Sequence, residues 1–435
     1  MISDALLALG LLLTTATELR LPAIPIGPGE VSLVVWVVLM LFREVRLDSP
    51  LTTPLSRLLI FWLLFSVALS IGTLAGYAIG DKHDSGLFFH DIMAYALAAV
   101  VSCLSVAGRN AGPRLRRVAW FLTGFGSASL AFLVTLAWGW LDVALISPWY
   151  WDRFRGWSAN PMQLALLCAV LMLVALYLAD EATRTGERIA ALACAILAGY
   201  VGRLTKSDSF SVVLIGAIAI FVALKLRHWL FAFEPNSTLR PMLAWMVILA
   251  VPLLLISLIP IRSIVAAHAE DAAKGIMKGD GKISEQEAGL RFQIWKEGIG
   301  RGVESGMLGL GPGPHLQIPE ALVAARRYES LPKFIVTPQS NGTANFEAHN
   351  TPVDLFTQGG LLAVLCFVWI SATALFEAYK ARLAGLTTML CGIMVFGAAN
   401  LIVRQPLFWF GIALCLVSGT ARWQAANKAK VAITK

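Results

Sequence analysis

The chain has 435 residues, of which 57% are hydrophobic and 14% are charged, and its mean hydropathy is +0.72. These values exclude an ordinary soluble globular domain and place the chain in a lipid bilayer. The net charge of +8 does not indicate a nucleic-acid-binding protein, because Lys and Arg are concentrated in short connections between apolar runs, where they set membrane orientation.

The apolar residues occur in runs long enough for membrane-spanning helices, whereas strands of a membrane barrel would show shorter alternating segments. In chain order the runs lie near residues 3–18, 31–42, 55–78, 89–107, 117–139, 161–179, 188–202, 209–226, 241–260, 350–376, 384–402 and 405–421. The first two runs are the weakest and are alternatively read as a re-entrant hairpin. We therefore predict an all-α polytopic membrane protein with about 12 transmembrane helices.

Basic residues fall in every second connection between these runs. The basic connections are 43–46, 109–117, 184–188, 225–227, 380–382 and 422–435. By the positive-inside rule, these connections and both termini face the cytoplasm and the others face outward. The N-terminal residues lack the basic segment and cleavage site of a secretory signal, so the first run is predicted to be a retained helix.

Three regions follow from this pattern. Residues 1–260 carry the first nine predicted spans, and residues 350–435 carry the last three spans and a cytoplasmic tail. Between them, residues 261–349 form a long polar loop on the outer face, rich in Gly and Pro, which we predict to contain short helices and to cover the membrane core as a lid.

No metal or cofactor site is predicted. The six cysteines all lie in apolar runs without a Cys-x-x-Cys pair, so neither a disulfide framework nor a zinc site is indicated. Residues 278–287 resemble the second half of a calcium-binding EF-hand loop, but Ile276 and Lys278 stand where the first ligands would be needed.

His349 is the strongest candidate for chemistry. It is followed by Asn350 and then by a long apolar run, so its ring is predicted at the boundary between water and membrane, where a lipid headgroup would lie. An imidazole can take a proton from a hydroxyl group near neutral pH. The alternative is an ordinary surface histidine.

Several cations are also predicted on the outer face, against the positive-inside bias. They are Arg153, Arg155, Arg203, Lys206, Arg291 and Arg404. Guanidinium and ammonium groups neutralise the charge of a phosphate or pyrophosphate leaving group. Alternatively, some of them anchor helix ends or pair with Asp152 and Asp208.

The segment from His349 to Gly360, His-Asn-Thr-Pro-Val-Asp-Leu-Phe-Thr-Gln-Gly-Gly, resembles the His-Asn motif of the O-antigen ligase and polymerase superfamily of bacterial envelope glycosyltransferases. Three further stretches are similar to family motifs in the same order. They are Arg153–Pro161, Leu204–Ser207, and Arg291–Trp295 leading into Gly309. The resemblance covers roughly residues 120–420 and departs from the family pattern at Asp208 and Gln358.

The resemblance implies an inner-membrane enzyme that moves a glycan from undecaprenyl pyrophosphate to a hydroxyl acceptor at the periplasmic face, without a metal and with inversion. It assigns His349 as the general base and Arg291 to the pyrophosphate. Arg203 and Lys206 would contact the same phosphates, Arg153 or Arg155 would shape the donor or acceptor side, and Asn350 would also bind substrate.

Three functions remain open at this point. A ligase uses lipid A-core as acceptor, and this is the function we favour. A polymerase of O-antigen or exopolysaccharide uses a second lipid-linked glycan with the same base and the same phosphate site. A polysaccharide or lipid transporter would also have about 12 spans, but the predicted spans are nearly free of the central charges expected there.

Overall fold

The computed structural model describes residues 1–20, 26–46, 51–81, 84–140, 147–150, 152–231, 283–317, 344 and 346–433. Within these ranges the chain is almost wholly α-helical, which confirms the predicted all-α class. The helices described are α1 (Ile2–Leu13), α2 (Pro28–Arg46), α3 (Thr53–Ala78), α4 (Ser85–Val106), α5 (Ala111–Ala137), α6 (Pro161–Glu181), α7 (Thr185–Leu204), α8 (Asp208–Phe231), α9 (Ile283–Glu304), α10 (Thr351–Lys380), α11 (Ala384–Gly397) and α12 (Pro406–Ile433). A two-stranded hairpin, β1 (Trp149–Tyr150) and β2 (Arg153–Phe154), precedes α6.

Six of the described helices are long and apolar enough to cross a membrane. They are α3, α4, α5, α6, α8 and α10. This agrees with the prediction of a helical membrane protein. The predicted span near 241–260 lies outside the described residues, as does much of the predicted loop, namely residues 261–282 and 318–343.

Turn residues determine where several of these helices begin. Pro28 opens α2, which therefore starts before the predicted apolar run and continues past it into the basic connection. Asn160 caps α6 by accepting a hydrogen bond from the Met162 amide, and Pro161 occupies the first helical position. Turn and capping residues thus extend helices beyond their apolar runs, and a search for apolar runs does not detect these residues.

The chain forms two compact units. The first contains residues 1–62, 93–221 and 367–435. In it, α6 is the most buried candidate span and packs against α5, α7 and α11. Arg57 pairs with Glu377 at 2.8 Å, and Arg117 pairs with the buried Asp4 at 2.6 Å. These ion pairs join segments that are distant in sequence.

The second unit contains residues 63–92 and 222–366. Its described part is built on α9, which packs along the start of α10. A Cβ at Gly298 would lie 2.7 Å from Val353, and one at Gly302 would lie 2.4 Å from the Phe356 ring. The glycines therefore let the two helices approach closely. A small apolar core lies beside them, formed by Leu290, Ile294, Trp295, Leu316, Phe346, Ala348 and Val353.

Helix α10 is interrupted at two glycines. Gly359 has φ −123° and ψ 15°, and Gly360 has φ 64° and ψ −160°, a conformation that side chains other than hydrogen rarely adopt. The turn after α9 supplies hydrogen bonds at this break. Leu310 N donates to Thr357 O at 2.8 Å, Gly311 N to Gln358 O at 2.8 Å, and Leu361 N to Met307 O at 2.9 Å.

Helix α3 also approaches the break. A Cβ at Gly72 would lie 2.4 Å from Gln358 O and 2.9 Å from Gly311 N. Both neighbours are backbone atoms, so only glycine fits at this position without moving the chain. The break in α10, the turn after α9 and the C-terminal part of α3 therefore form one closely packed group.

Candidate functional site

His349 lies on a sharp turn immediately before α10. Its φ is +51°, in the left-handed region that residues other than glycine seldom occupy. Asp354, a buried residue in the first turns of α10, accepts hydrogen bonds from Ala348 N at 2.7 Å and Asn350 N at 3.0 Å. The carboxylate thereby fixes the backbone on both sides of His349.

Asn350 caps α10. Its side-chain oxygen accepts a hydrogen bond from Val353 N at 3.2 Å, and its carbonyl oxygen accepts one from Asp354 N at 2.8 Å. Asn350 is itself buried. These contacts assign Asn350 a role in shaping the turn, which is the usual function of Asn at a helix start.

The His349 side chain is exposed and packs edge-on against the Phe346 ring, with centroids 5.2 Å apart. The contact with Phe346 restricts the imidazole, and the His349 side chain remains exposed to solvent. Imidazole groups gain and lose a proton near neutral pH, so a histidine held in this way can accept a proton from a hydroxyl group placed beside it.

Arg291 lies on α9, the helix that packs against this turn. Trp295, one helical turn further along, donates from its indole nitrogen to Ala348 O at 3.1 Å. Residues four apart share a helix face, so Arg291 lies on the side of α9 that faces the His349 turn. It is half-buried, and in the described ranges no ion pair engages its guanidinium.

Arg155 belongs to the hairpin of the first unit. It is buried, pairs with Glu18 at 2.5 Å and donates to Ser147 O at 3.2 Å. These contacts attach the hairpin to the segment after α1. Arg153, two residues earlier, is exposed instead, so its guanidinium is the more accessible of the two.

Lys206 and Arg203 lie at the turn between α7 and α8. Lys206 has φ +52° and pairs with Asp152 of the hairpin at 2.5 Å. The hydrogen bond from Lys206 lowers the pKa of the Asp152 carboxyl. Arg203 donates to the Ser211 hydroxyl. The Lys206–Asp152 pair therefore connects two of the motifs that were predicted separately.

The predicted site residues thus form one group in each unit. His349, Asn350 and Arg291 lie together in the second unit, around the start of α10. Arg153, Arg155, Arg203 and Lys206 lie in the first unit, at the hairpin and the adjacent turn.

Asp354 was missed by the sequence analysis. The sequence signal is only general, because acidic residues are favoured in the first turn of any helix. Asp354 lies four positions after Asn350, one position later than the acidic residue of a capping box.

A second polar cluster lies after α3. Asp81 pairs with Arg301 at 3.2 Å and with His315 Nδ1 at 3.1 Å, and His315 Nε2 donates to Gly311 O at 2.7 Å. His315 is buried, and both ring nitrogens are used within the protein. This cluster fixes the Gly-rich segment that follows α9, and it leaves His349 as the exposed histidine of this part of the described chain.

Comparison with models of known protein families gives no match, and no curated protein sequence is similar enough to match. We therefore infer the function from the residues and their geometry.

Proposed function

We propose that the protein is a glycosyltransferase of the O-antigen ligase type. It transfers a glycan from undecaprenyl pyrophosphate to a hydroxyl group of lipid A-core at the periplasmic face of the bacterial inner membrane. His349 is the general base, and the reaction inverts the anomeric carbon without a metal ion.

The structure of the turn around His349 gives this proposal its main support. An exposed imidazole lies on a backbone fixed by the Asp354 carboxylate, next to a helix that carries Arg291, which is half-buried and makes no ion pair with another described residue. A base beside a cation suits transfer from a pyrophosphate, since the base removes the proton of the acceptor hydroxyl while the cation stabilises the departing phosphate charge.

The cations of the first unit take the supporting roles that the family resemblance implies. Arg203 and Lys206 contact the pyrophosphate, and Arg153 contacts the donor or acceptor glycan. Arg155 contributes by fixing the hairpin, because its guanidinium is already engaged by Glu18 and Ser147. Metal or other cofactors have no part in the proposed mechanism.

The proposal includes the full topology expected from the sequence. About 12 helices cross the membrane, both termini are cytoplasmic, and the 261–349 region and the start of α10 lie on the periplasmic side. The regular alternation of basic connections supports this orientation.

The direct test is a transfer assay with purified protein. An undecaprenyl-pyrophosphate glycan is supplied with lipid A-core in one reaction and with a second lipid-linked glycan in another, and the products are resolved by gel and mass spectrometry. We expect glycosylated lipid A-core. Elongation of the lipid-linked glycan alone would identify a polymerase, and no transfer to either acceptor, with substrates matched to the source, would refute the enzyme proposal.

The base is tested with two histidine variants. His349→Ala should lower the transfer rate at least about 100-fold, the usual range for losing a general base. His90→Ala is the matched control, because His90 is also partly exposed but lies outside the proposed site, and it should keep near-normal transfer. Near-normal turnover by His349→Ala would refute the role of this histidine.

A further inference from the structure

Helix α9 carries apolar residues on two separate faces. The face that holds Ile294, Gly298 and Gly302 is covered within the second unit. A different face holds Phe292, Ile299 and Val303, whose side chains are 69%, 49% and 51% exposed. At about 100° per residue these three side chains lie within about 40° of one another. Lys296, which is also exposed, lies on the same face between Phe292 and Ile299. We call this face, with Phe292 on one side of Lys296 and Ile299 and Val303 on the other, the outer stripe of α9.

Exposed apolar residues also lie in the turn after α9 and on the neighbouring part of α10. Met307 and Leu308, in the turn, are 51% and 49% exposed. Leu361 donates its amide to Met307 O at 2.9 Å and is itself exposed, as is Leu365 one turn further along α10. Helix α10 is one of the candidate spans, so its exposed leucines face lipid. The turn that ends α9 is thus bonded to a candidate span beside lipid-facing leucines.

The turn after α9 also packs against α3, close to the C-terminal end of that helix. Leu308 and Gly311 contact Gly72, which is six residues before the end of α3 at Ala78, or about 9 Å at 1.5 Å per residue. A helix of 26 residues is about 39 Å long, so when it is centred in the bilayer and perpendicular to it, it extends about 4–5 Å beyond each side of a hydrocarbon core about 30 Å thick. The turn is therefore at the depth of the hydrocarbon.

Irregular backbone at that depth requires internal hydrogen bonds, because lipid offers none. The turn meets this requirement. Leu310 N and Gly311 N donate to the carbonyl groups at the α10 break, Met307 O accepts from Leu361 N, and Gly309 N donates to the Ser305 hydroxyl at 2.9 Å. Its polar groups face the protein while its exposed side chains are apolar.

We propose that residues 283–311 form a re-entrant segment, which enters the membrane beside the start of α10 and presents the outer stripe, Met307 and Leu308 to the acyl chains of bilayer lipids. The occupant is lipid hydrocarbon because the turn that follows the stripe is bonded to a candidate spanning helix beside its exposed leucines, Leu361 and Leu365. The polar residues Gln293 and Glu297, also exposed, lie on another side of α9. This inference does not depend on the transferase activity.

The test measures lipid and water contact along α9 in the full-length chain. Single cysteines are introduced as Ile299→Cys, Val303→Cys and Met307→Cys, after the six native cysteines are replaced by Ala. The protein is reconstituted in phosphatidylcholine–phosphatidylglycerol liposomes and spin-labelled. Collision rates with oxygen, which concentrates in lipid, and with a water-soluble nickel complex are then compared. Glu297→Cys on the polar side of α9 and Leu365→Cys on α10 are the controls.

We expect an oxygen-to-nickel ratio that rises from position 299 to position 307, approaches that of Leu365→Cys, and exceeds that of Glu297→Cys several-fold. Nickel collision rates at 303 and 307 that match Glu297→Cys would overturn the proposal. The unmodified chain gives a second measurement if the cysteine-free protein does not fold. Liposomes with a diazirine-bearing fatty acyl chain should label Met307 and Leu308 on illumination, and label on Leu365 without label on this turn would overturn it.

Discussion

His349 combines a proposed chemical role with an unfavourable backbone conformation. A residue with a Cβ pays about 1 kcal/mol or more to remain in the left-handed region, whereas glycine does not. The Asp354 hydrogen bonds on both sides of His349 offset this cost. The conformation and the exposed ring thus belong to one arrangement, in which a small loss of stability accompanies a defined orientation of the imidazole.

Substitution of His349 should separate stability from activity. His349→Gly and His349→Ala both remove the ring and its contact with Phe346, but only alanine keeps the strained φ of +51°. We expect the glycine variant to be more stable than the alanine variant by about 1 kcal/mol, while both lose transfer. Thermal unfolding in detergent measures the difference. An alanine variant equal to or more stable than the glycine variant would contradict the strained turn.

Asp354 should prove necessary for the same turn. In Asp354→Asn the new amide group cannot accept from both Ala348 N and Asn350 N, so one buried amide loses its partner at a cost of about 1–3 kcal/mol. We expect lower thermal stability and a reduced turnover number with little change in the KM for donor, because the base is displaced while the cations remain. The control is Asp208→Asn, a substitution of an exposed Asp at the start of α8. Full activity in Asp354→Asn would show that the turn does not require the carboxylate.

At the scale of single elements, the interrupted α10 is the feature that organises the second unit. Its break exposes carbonyl groups of Thr357 and Gln358, and the turn after α9 satisfies them. Gly72 allows α3 to approach the same place. The turn after α9 and the break in α10 would each leave polar backbone groups without partners if the other moved away, and α3 packs closely against both. The three segments should therefore respond to mutation as one group.

Gly72→Ala tests this packing. The added methyl group would lie 2.4 Å from Gln358 O, and backbone atoms cannot turn aside as a side chain can, so we expect a loss of about 1–3 kcal/mol. Gly124→Ala is the matched control within α5, where nothing lies within 4 Å of the added atom, and it should be neutral or stabilising by up to about 1 kcal/mol. Unfolding temperatures of the two variants in the same detergent measure the effect. Equal tolerance of both would show that α3 does not approach the break so closely.

The sequence predicted α10 as one continuous apolar run from 350 to 376, and its start and composition are confirmed. The interruption at Gly359 and Gly360 was not predicted. A Gly-Gly pair in an apolar run leaves hydropathy almost unchanged, and a single helix or two half-helices fit the same pattern. What decides between them is a tertiary partner for the freed carbonyl groups, here residues 307–311, which lie far away in sequence.

The candidate site shows the same limit. His349, Asn350 and the helix start could be predicted because they are adjacent in sequence. Helix α9 lies within residues 261–349, where short helices were predicted, and the hydrogen bond from Trp295 to Ala348 then brings Arg291 to the same turn. That bond joins residues 53 positions apart, so no local pattern could reveal it. The pairing of Lys206 with Asp152 was named among the alternatives at the sequence level and is present.

At the scale of the whole molecule, hydropathy and charge predict different things. Hydropathy predicts that segments cross a membrane, and the six long apolar helices agree with it. The distribution of Lys and Arg predicts which connections remain in the cytoplasm. Orientation cannot be read from helix packing, because an inverted molecule has the same internal contacts. It therefore needs its own measurement.

Thiol labelling in intact spheroplasts supplies that measurement. Ser85, at the start of α4, lies in a connection predicted to face outward, and Asn110, at the start of α5, lies in a basic connection predicted to face the cytoplasm. Both are exposed, and the native cysteines of the described chain lie within helices and are buried or partly buried. We expect a membrane-impermeant maleimide to modify Ser85→Cys in intact spheroplasts and Asn110→Cys only after lysis, each compared with the unsubstituted protein. The reverse pattern would place the start of α10 and His349 in the cytoplasm, where a lipid-linked donor on the outer face could not reach the base. Orientation is thus the property of the whole molecule on which the proposed reaction depends most directly.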